Sequence, residues 1–330
     1  MKENDIRPDF LMIDESKTFG EDIVNLIRYQ DEFVIVNCPA CDSDNFTFVF
    51  KKHNIQYVQC NVCKTMFVNP RPTQKILNLF YSTSKGIDYW NKFIFPATEN
   101  TRKKNIFMPR VKHILQICKK YNISTGTLMD VGAGFGTFCE ILENIKIFRR
   151  VIAVEPSPTL ANTCKIKGLD VIETPIEDVT LELECVDVIV SFEVIEHLFR
   201  PFVFLERCKF FLKKGGILVV TCPNVEGFDI LTLKDRSDNT SFPHLNFFNP
   251  QSIALLVERC GFEVLEVITP GELDAELVRK KVLSGAYDIS SQSFLKQILI
   301  DDWDRLGIPF QKFLADNNLS SHMWLVAQKK

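Results

Sequence analysis

The sequence lacks a long hydrophobic run, since no apolar stretch approaches the ~20 residues that a membrane-spanning helix needs. A secretory signal is missing as well, because the opening MKENDIRPDF is too polar to supply its apolar core. Both absences disfavour an integral membrane protein and an exported one. We therefore expect a cytoplasmic protein that does not insert into membranes.

Charge of one sign is not in excess: 39 Lys and Arg stand against 42 Asp and Glu, for a net charge of -3. The chain thus lacks the bulk attraction that a dedicated nucleic-acid binder carries. Glycine and proline are also few, 14 and 15 in 330 residues, and 46% of the residues are hydrophobic, which excludes a disordered or fibrous chain. The length predicts a globular protein of about two domains.

Cysteine is plentiful, but 11 cysteines are an odd number in a long chain, which favours reduced thiols over disulfides. Four of them form a C-P-A-C and a C-N-V-C pair: Cys38, Cys41, Cys60 and Cys63. Two such turns complete the closed four-sulfur shell that structural zinc prefers, and NFTFVF and IQYVQ between them alternate like two short strands. A redox C-x-x-C motif would not explain the second pair. The sequence therefore predicts a structural zinc ribbon over residues 37–70.

The regions on either side of the ribbon predict helices, an extension over residues 1–36 and a connector or cap over residues 71–125. Between Asn100 and Met129 the chain carries seven Lys and Arg and no Asp or Glu. Such a run is typical of a solvated helix face. The alternative is an anion site for a phosphate-bearing substrate, with Arg102, Lys103 and Arg110 as its candidates.

A nucleotide-type core begins at Thr127, where TLMDVGAGFGTF has the pattern of a strand, a glycine-rich turn and the start of a helix. Such a turn places backbone N–H groups and the positive end of a helix dipole beside a ligand. Asp130 precedes the glycines, and Glu155 ends the next strand, where a carboxylate can bind ribose hydroxyls. These features alone are also compatible with a binding site for a nicotinamide dinucleotide. Strand-like segments follow at 170–175, 186–193, 215–223, 262–269 and 322–329.

Together with the later segments IED, SFEVIEHL and LKKGGILVVTCPN, this pattern resembles class I S-adenosylmethionine-dependent methyltransferases over residues 127–330. The resemblance implies an α/β fold with a Rossmann-like sheet of seven strands, the last antiparallel, in a domain spanning 126–330. It also implies that the methionine part of the cofactor lies against Asp130, Gly132, Gly134 and Gly136, and the ribose against Glu155. Asp178 would approach the adenine, with Glu177 and Phe192 beside the cofactor. The ribbon followed by NPRPT and FY further resembles zinc-ribbon methyltransferases of surface-polysaccharide and sugar biosynthesis.

The segment SFEVIEHL should face the transferred methyl, because ligands of open α/β sheets bind outside the carboxyl ends of the strands. A helical turn starting at Glu193 would put Glu196 and His197 on the same face. His197 could act as a general base. Alternatively these three residues and His244 could bind Mg²⁺ or Mn²⁺, since the set resembles the metal ligands of ubiquinone-biosynthesis O-methyltransferases and small-RNA 2′-O-methyltransferases. In a third, purely structural interpretation, Glu193 caps a helix and His197 is packed.

A helical insertion at about residues 272–320 separates the last two strands, and insertions of this length are usually functional. Because the last strand starts where the preceding one ends, we expect Glu272, Asp274 and His322 near the acceptor pocket.

A base at His197 would imply a hydroxyl or an acidic carbon as the methyl acceptor. We therefore expect an S-adenosylmethionine-dependent enzyme with a small-molecule acceptor, a sugar or a nucleotide-linked sugar. Two alternatives stay open. One is an RNA methyltransferase that docks RNA through the ribbon and the basic stretch, although the net charge disfavours nucleic acid. The other is a non-catalytic cofactor-binding adaptor. The sequence does not determine the oligomeric state.

Overall fold

The computed structural model of the chain describes residues 2–330. Its N-terminal part contains one long helix and three short strands: α1 Asp9–Ile27, β1 Phe46–Lys52, β2 Ile55–Cys60 and β3 Met66–Val68. Strands β1 and β2 form an antiparallel hairpin, and β3 pairs with β2. The two strands predicted between the cysteine pairs are therefore present.

A nearly continuous helical run follows the ribbon. It consists of α2 Gln74–Thr83, α3 Lys85–Tyr89, α4 Phe95–Arg102 and α5 Met108–Lys120, with π-helical turns at Trp90–Ile94 and Lys103–Phe107. Thr73 and Ser84 cap α2 and α3, each accepting a hydrogen bond from the backbone N–H three residues further on. A proline in the first turn of α4 and of α5 suits a helix start, where no N–H partner is needed.

The remaining strands are β4 Thr127–Val131, β5 Arg150–Val154, β6 Asp170–Ile172, β7 Val186–Phe192, β8 Leu212–Pro223, β9 Asn246–Phe247, β10 Phe262–Ile268 and β11 His322–Lys329. Within residues 2–330, seven of them form the central sheet in the order β6-β5-β4-β7-β8-β11-β10. Strand β11 is antiparallel to both neighbours, and the other adjacent pairs are parallel. This confirms the predicted sheet with its antiparallel last strand.

Helices cover both faces of this sheet. They include α6 Thr137–Ile145, α7 Pro158–Ile166, α8 Pro201–Phe211 and α10 Pro250–Arg259. The short helix α9 Phe228–Leu233 follows β8 and takes no part in the two apolar clusters on the sheet. One apolar cluster packs α5 and α6 on the sheet, and a second packs α8 and α10 on the opposite face. Strands β4 and β7 are buried along their whole length, as expected of central parallel strands. The carboxyl ends of β4, β5 and β7 therefore meet at one edge.

The insertion between β10 and β11 is helical, as predicted: α11 Asp274–Leu283, α12 Ser293–Lys296 and α13 Trp303–Asp316, with a π-helical turn at Gln297–Asp301. Its apolar side chains form a cluster of their own with Leu233. The ribbon is joined to the rest of the chain more closely than a separate module, because β9 pairs with β3 and extends the ribbon sheet to β1-β2-β3-β9. Among the helices of residues 2–330, none combines the length and the apolar character of a membrane span.

Candidate active site

The glycine-rich turn joins β4 to α6 in a conformation that requires glycine. Gly132, Gly134 and Gly136 have φ values of +84°, +57° and +67°, which L side chains rarely adopt. A Cβ on Gly132 would lie 2.5 Å from the Val194 side chain, and one on Gly136 would lie 2.5 Å from Leu169. A Cβ on Gly134, by contrast, would meet no atom within 4 Å. The turn thus packs tightly at Gly132 and Gly136 and leaves open space beside the Cα of Gly134.

Two buried carboxylates flank this turn. Glu155, after β5, accepts hydrogen bonds of 2.8 Å from the N–H groups of Gly134 and Ser157. Asp130, within β4, is 2% exposed, and its Oδ1 is buried without a hydrogen-bond partner in residues 2–330. Burial raises the pKa of Asp130 to about 7. The unpartnered Oδ1 of Asp130, next to the glycine-rich turn, fits a ligand that carries an ammonium group, as S-adenosylmethionine does.

The other predicted cofactor residues lie on neighbouring strands. Phe192 ends β7, is 9% exposed, and packs against Phe138 and under the Arg110 guanidinium, which sits 4.6 Å from its ring centre. Glu177 and Asp178 lie in a 3₁₀ turn, Ile176–Asp178, after β6. Their side chains are exposed and form no hydrogen bond or ion pair within the described residues. A role for these two residues depends on the bound ligand.

Three of the four predicted catalytic residues form one cluster. Glu196 and His197 lie in a 3₁₀ turn, Ile195–His197, after β7, and His244 reaches them from the loop before β9. A ligand atom from each lies within 4.8 Å of the others. Nδ1 of His197 is 3.3 Å from the Pro243 carbonyl oxygen, and Nδ1 of His244 is 2.9 Å from that of Asn239. Since a carbonyl only accepts, both Nδ1 atoms donate and both Nε2 atoms keep a lone pair.

Glu196 is the unusual member of this cluster. It is 1% exposed, and neither carboxylate oxygen has a hydrogen-bond partner in residues 2–330. Burial, and then the nearby charge of Glu193, raise its pKa well above the usual value. A buried carboxylate without a donor is costly, and two imidazole lone pairs beside it supply none. This donor set, one carboxylate and two neutral imidazoles, fits a divalent cation.

Glu193 does not belong to this cluster. The expectation of a helical turn starting at Glu193 is wrong, because the turn begins two residues later and Glu193 itself has a φ of +57°. This backbone conformation aims its carboxylate elsewhere. Oε1 accepts a hydrogen bond of 2.5 Å from the Thr221 hydroxyl and lies 3.4 Å from both Arg110 and His322. A non-glycine residue in this strained region is often found at a functional site.

A cavity of about 570 Å³ opens beside Glu193. Its walls come from the N-terminal segment, the connector, the insertion and the start of β11, and they include Ile6, Arg7, Trp90, Phe95, Arg102, Arg110, Glu272, Asp274, His322 and Trp324. Glu272, Asp274 and His322, the residues expected near the acceptor pocket, thus line one cavity together with Glu193. Asn239, whose carbonyl oxygen contacts Nδ1 of His244, also lines it, whereas Glu196, His197 and His244 are not part of the lining.

The basic stretch does not form one solvated face. Lys103 is 3.2 Å from Glu140 and Lys120 is 2.8 Å from Glu266. Arg102 and Arg110 turn into the cavity, whereas Lys103 is absent from its lining, which corrects its inclusion among the anion-binding candidates. Lys104, Lys112, Lys119 and Lys120 are exposed and fit the solvated interpretation. Sequence reasoning also missed Arg7 and Trp90, because neither lies in a motif or next to one.

The four cysteines of the ribbon converge on one point. Their sulfur atoms all lie within 4.8 Å of one another, with 3.5 Å between Cys38 and Cys63 and 3.4 Å between Cys41 and Cys60. Zinc–sulfur bonds of about 2.3 Å in a tetrahedron require sulfur separations of about 3.8 Å. The residues therefore fit a closed zinc shell.

Comparisons with known proteins agree with this geometry. Residues 103–267, half of the chain, match the family described as a methyltransferase domain. A Mycolicibacterium smegmatis protein named for S-adenosylmethionine-dependent methyl transfer is 26% identical over 194 residues, which cover 54% of this chain and 73% of that protein. The ubiquinone biosynthesis O-methyltransferase of Bradyrhizobium diazoefficiens is 30% identical over 121 residues, 32% of this chain and 47% of that enzyme.

The fold also matches a solved structure. A chain from the Haloferax volcanii complex of the Trm112 methyltransferase activator with a methyltransferase superposes with a TM-score of 0.50, at 16% identity over 73% of this chain and 96% of that one. At this identity the likeness supports the fold alone. The glycine-rich turn, the strand order and the family match together lead to one conclusion. The chain belongs to the methyltransferase domain family and is a class I S-adenosylmethionine-dependent methyltransferase.

Proposed function

We propose that the protein transfers the methyl group of S-adenosylmethionine to a hydroxyl of a small molecule, with a divalent cation held by Glu196, His197 and His244. One observation carries this proposal: a fully buried carboxylate with both oxygens unpartnered faces two imidazole lone pairs. A Mg²⁺ or Mn²⁺ ion would satisfy all three groups.

The same geometry argues against His197 as a free general base. Burial, and then the neighbouring His244, lower the pKa of His197 to about 3, so its imidazole is a weak proton acceptor at neutral pH. Its Nδ1 is oriented by the Pro243 carbonyl and not by a carboxylate that would stabilise the imidazolium. A neutral imidazole with a fixed Nδ1 is instead typical of a metal ligand.

The chain's own residues would bind the cofactor and accept the proton of the acceptor hydroxyl. Asp130, the three glycines of the turn and Glu155 would hold the cofactor, which supplies an electrophilic methyl group on sulfur. A bound cation would lower the pKa of a coordinated acceptor hydroxyl. Glu193 lines the cavity with Oε1 already accepting a hydrogen bond from Thr221, and we infer that its Oε2 would accept the proton released from that hydroxyl. The methyl passes to oxygen, and S-adenosylhomocysteine leaves.

We further propose a sugar or nucleotide-linked sugar as the acceptor. The support is the zinc ribbon ahead of this core, which resembles sugar-modifying methyltransferases, and a cavity with both aromatic and polar walls. Oxygen as the acceptor atom agrees with the similarity to the ubiquinone biosynthesis O-methyltransferase. RNA as the acceptor has little support, because Lys103 and Lys120 of the basic stretch form ion pairs with Glu140 and Glu266.

Calorimetry tests the two halves of the proposal separately. The wild-type chain should bind S-adenosylmethionine, and Glu155→Ala should abolish that binding without changing zinc content. Mn²⁺, followed by electron paramagnetic resonance, should bind the wild type and be lost in Glu196→Gln, which keeps the side-chain shape but removes the charge. Glu258→Gln, at an exposed position, is the matched control and should retain Mn²⁺. Retained Mn²⁺ in Glu196→Gln would refute the cation site, and a wild type without cofactor binding would refute the methyl-transfer proposal.

A further inference from the structure

Three arginines from separate segments face the cavity beside Glu193. Arg7 lies in the N-terminal segment before α1, Arg102 ends α4, and Arg110 lies in the first turn of α5. Burial, followed by the charges of Arg7 and Arg110, lowers the pKa of Arg102 to about 10. Arg102 is therefore close enough to both other cations to be repelled by them, and the shared cavity favours an anion beside it.

The internal partners of these arginines leave donors free. Arg102 donates from Nε to Thr98 at 2.9 Å and from Nη2 to the Ile6 carbonyl at 2.6 Å, so its Nη1 is uncommitted. Its guanidinium stacks on Phe95, 4.6 Å from the ring centre, and lies 5.6 Å from that of Trp90. Stacking fixes the plane of the guanidinium while its edge stays available for an oxyanion.

Arg7 and Arg110 are also only partly paired. Arg7 is 3.9 Å from Glu3 and 36% of its side chain is exposed, a weak contact for a charged group. Arg110 forms one ion pair, with Glu193 at 3.4 Å, and the charges of Asp130 and Glu196 also act on it.

The acids of the cavity wall do not neutralise this group. Asp274 is 2% exposed, and its oxygens already accept hydrogen bonds from Ser320, Ser321 and Gln311. Glu272 is exposed and contacts none of the three arginines. Glu193 is thus the one acid of the described cavity lining that contacts one of them.

The segments that supply this group lie mostly outside the matched family region. Arg7 and Arg102 precede residue 103, and the facing wall at 268–277 follows residue 267. The N-terminal segment is fastened in place by Lys280 of α11, which lies 2.9 Å from Glu3 and 2.6 Å from Asp9. Additions to the shared core, and not the core itself, therefore build this part of the cavity.

We propose that Arg7, Arg102 and Arg110 bind an anionic group of the methyl acceptor, a phosphate or a carboxylate. The inference rests on the proposed function, because the cavity adjoins the predicted methyl-transfer site. It names the acceptor's chemical class: a small molecule with a hydroxyl to be methylated and an anionic group at its other end.

Calorimetry with pyrophosphate and with succinate tests this on the full-length chain at physiological ionic strength. Arg7→Gln, at a partly exposed position, should weaken binding of the preferred anion about tenfold or more. Arg102→Lys keeps the charge but removes the planar guanidinium, and it should also weaken binding of the preferred anion. Lys104→Gln, an exposed cation of the same connector, is the matched control and should leave the affinity unchanged. S-adenosylmethionine binding, measured on each sample, should be retained throughout.

The outcomes separate this inference from the function on which it rests. Preference for pyrophosphate would identify a phosphate-bearing acceptor, and preference for succinate a carboxylate-bearing one. The arginine site would be overturned if the wild type bound neither probe, or if Arg102→Lys bound the preferred anion as tightly as the wild type. Neither result would affect cofactor binding. Loss of S-adenosylmethionine binding in the wild type would refute the proposed function whatever the anions do.

Discussion

Asp130 offers a quantitative test of how the ligand-free cofactor site affects stability. Its carboxyl is buried beside the glycine-rich turn, with one oxygen unpartnered. Burial raises its pKa from 3.8 to about 7, so between these values the folded chain holds a proton that the unfolded chain has released. The stability due to this group is complete below pH 3.8 and is lost as the pH rises through 7. The loss at neutral pH is about 4 kcal/mol, at about 1.4 kcal/mol per pH unit.

Asp130→Asn removes this titration because an amide has the shape of the protonated acid and carries no proton to lose. Compared with the wild type, the variant should have nearly equal stability at pH 4 and should be more stable by up to about 4 kcal/mol at pH 7. Urea unfolding of both chains without cofactor, at several pH values, measures the difference and cancels titrations that the two share. Asp235→Asn, at an exposed position, should show no such trend. A stability difference independent of pH would refute the reasoning.

Three further expectations concern packing, the ribbon and the N-terminal segment. Gly136→Ala should destabilise the fold by about 1–3 kcal/mol in thermal or urea unfolding, because Gly136 has a positive φ and an added Cβ would contact Leu169. Gly20→Ala, in open space within α1, should instead stabilise the fold by about 0.5–1 kcal/mol. Equal effects of the two substitutions would contradict the steric argument. Cys60→Ser should lose zinc by elemental analysis and lower Tm, whereas Cys185→Ser should change neither, and full zinc retention would exclude Cys60 as a ligand. Lys280→Met removes two ion pairs to the N-terminal segment, so amide hydrogen exchange at residues 6 and 7 should accelerate, and unchanged exchange would show that other contacts hold the segment.

The parts of this protein that depend on local pattern are predictable from the amino-acid sequence alone. The glycine turn at 132–136 was predictable because positive φ values select glycine at neighbouring positions. The strands of the sheet were predictable because burial on both faces makes them continuous apolar runs. The convergence of the four cysteines followed from the geometry of two C-x-x-C turns.

Which distant side chains meet depends on the packing of the folded chain and not on local sequence. His244 reaches Glu196 through a loop 47 residues after His197, while Glu193, only three residues before Glu196, turns away because its φ is positive. Arg7 reaches the same cavity as Arg102 and His322 because ion pairs from the insertion hold the N-terminal segment there. Such contacts depend on how separate elements pack, and the residue types at two distant positions do not reveal how far apart their side chains lie in the fold. The local pattern thus specified the cofactor turn, and packing between distant segments built the acceptor side.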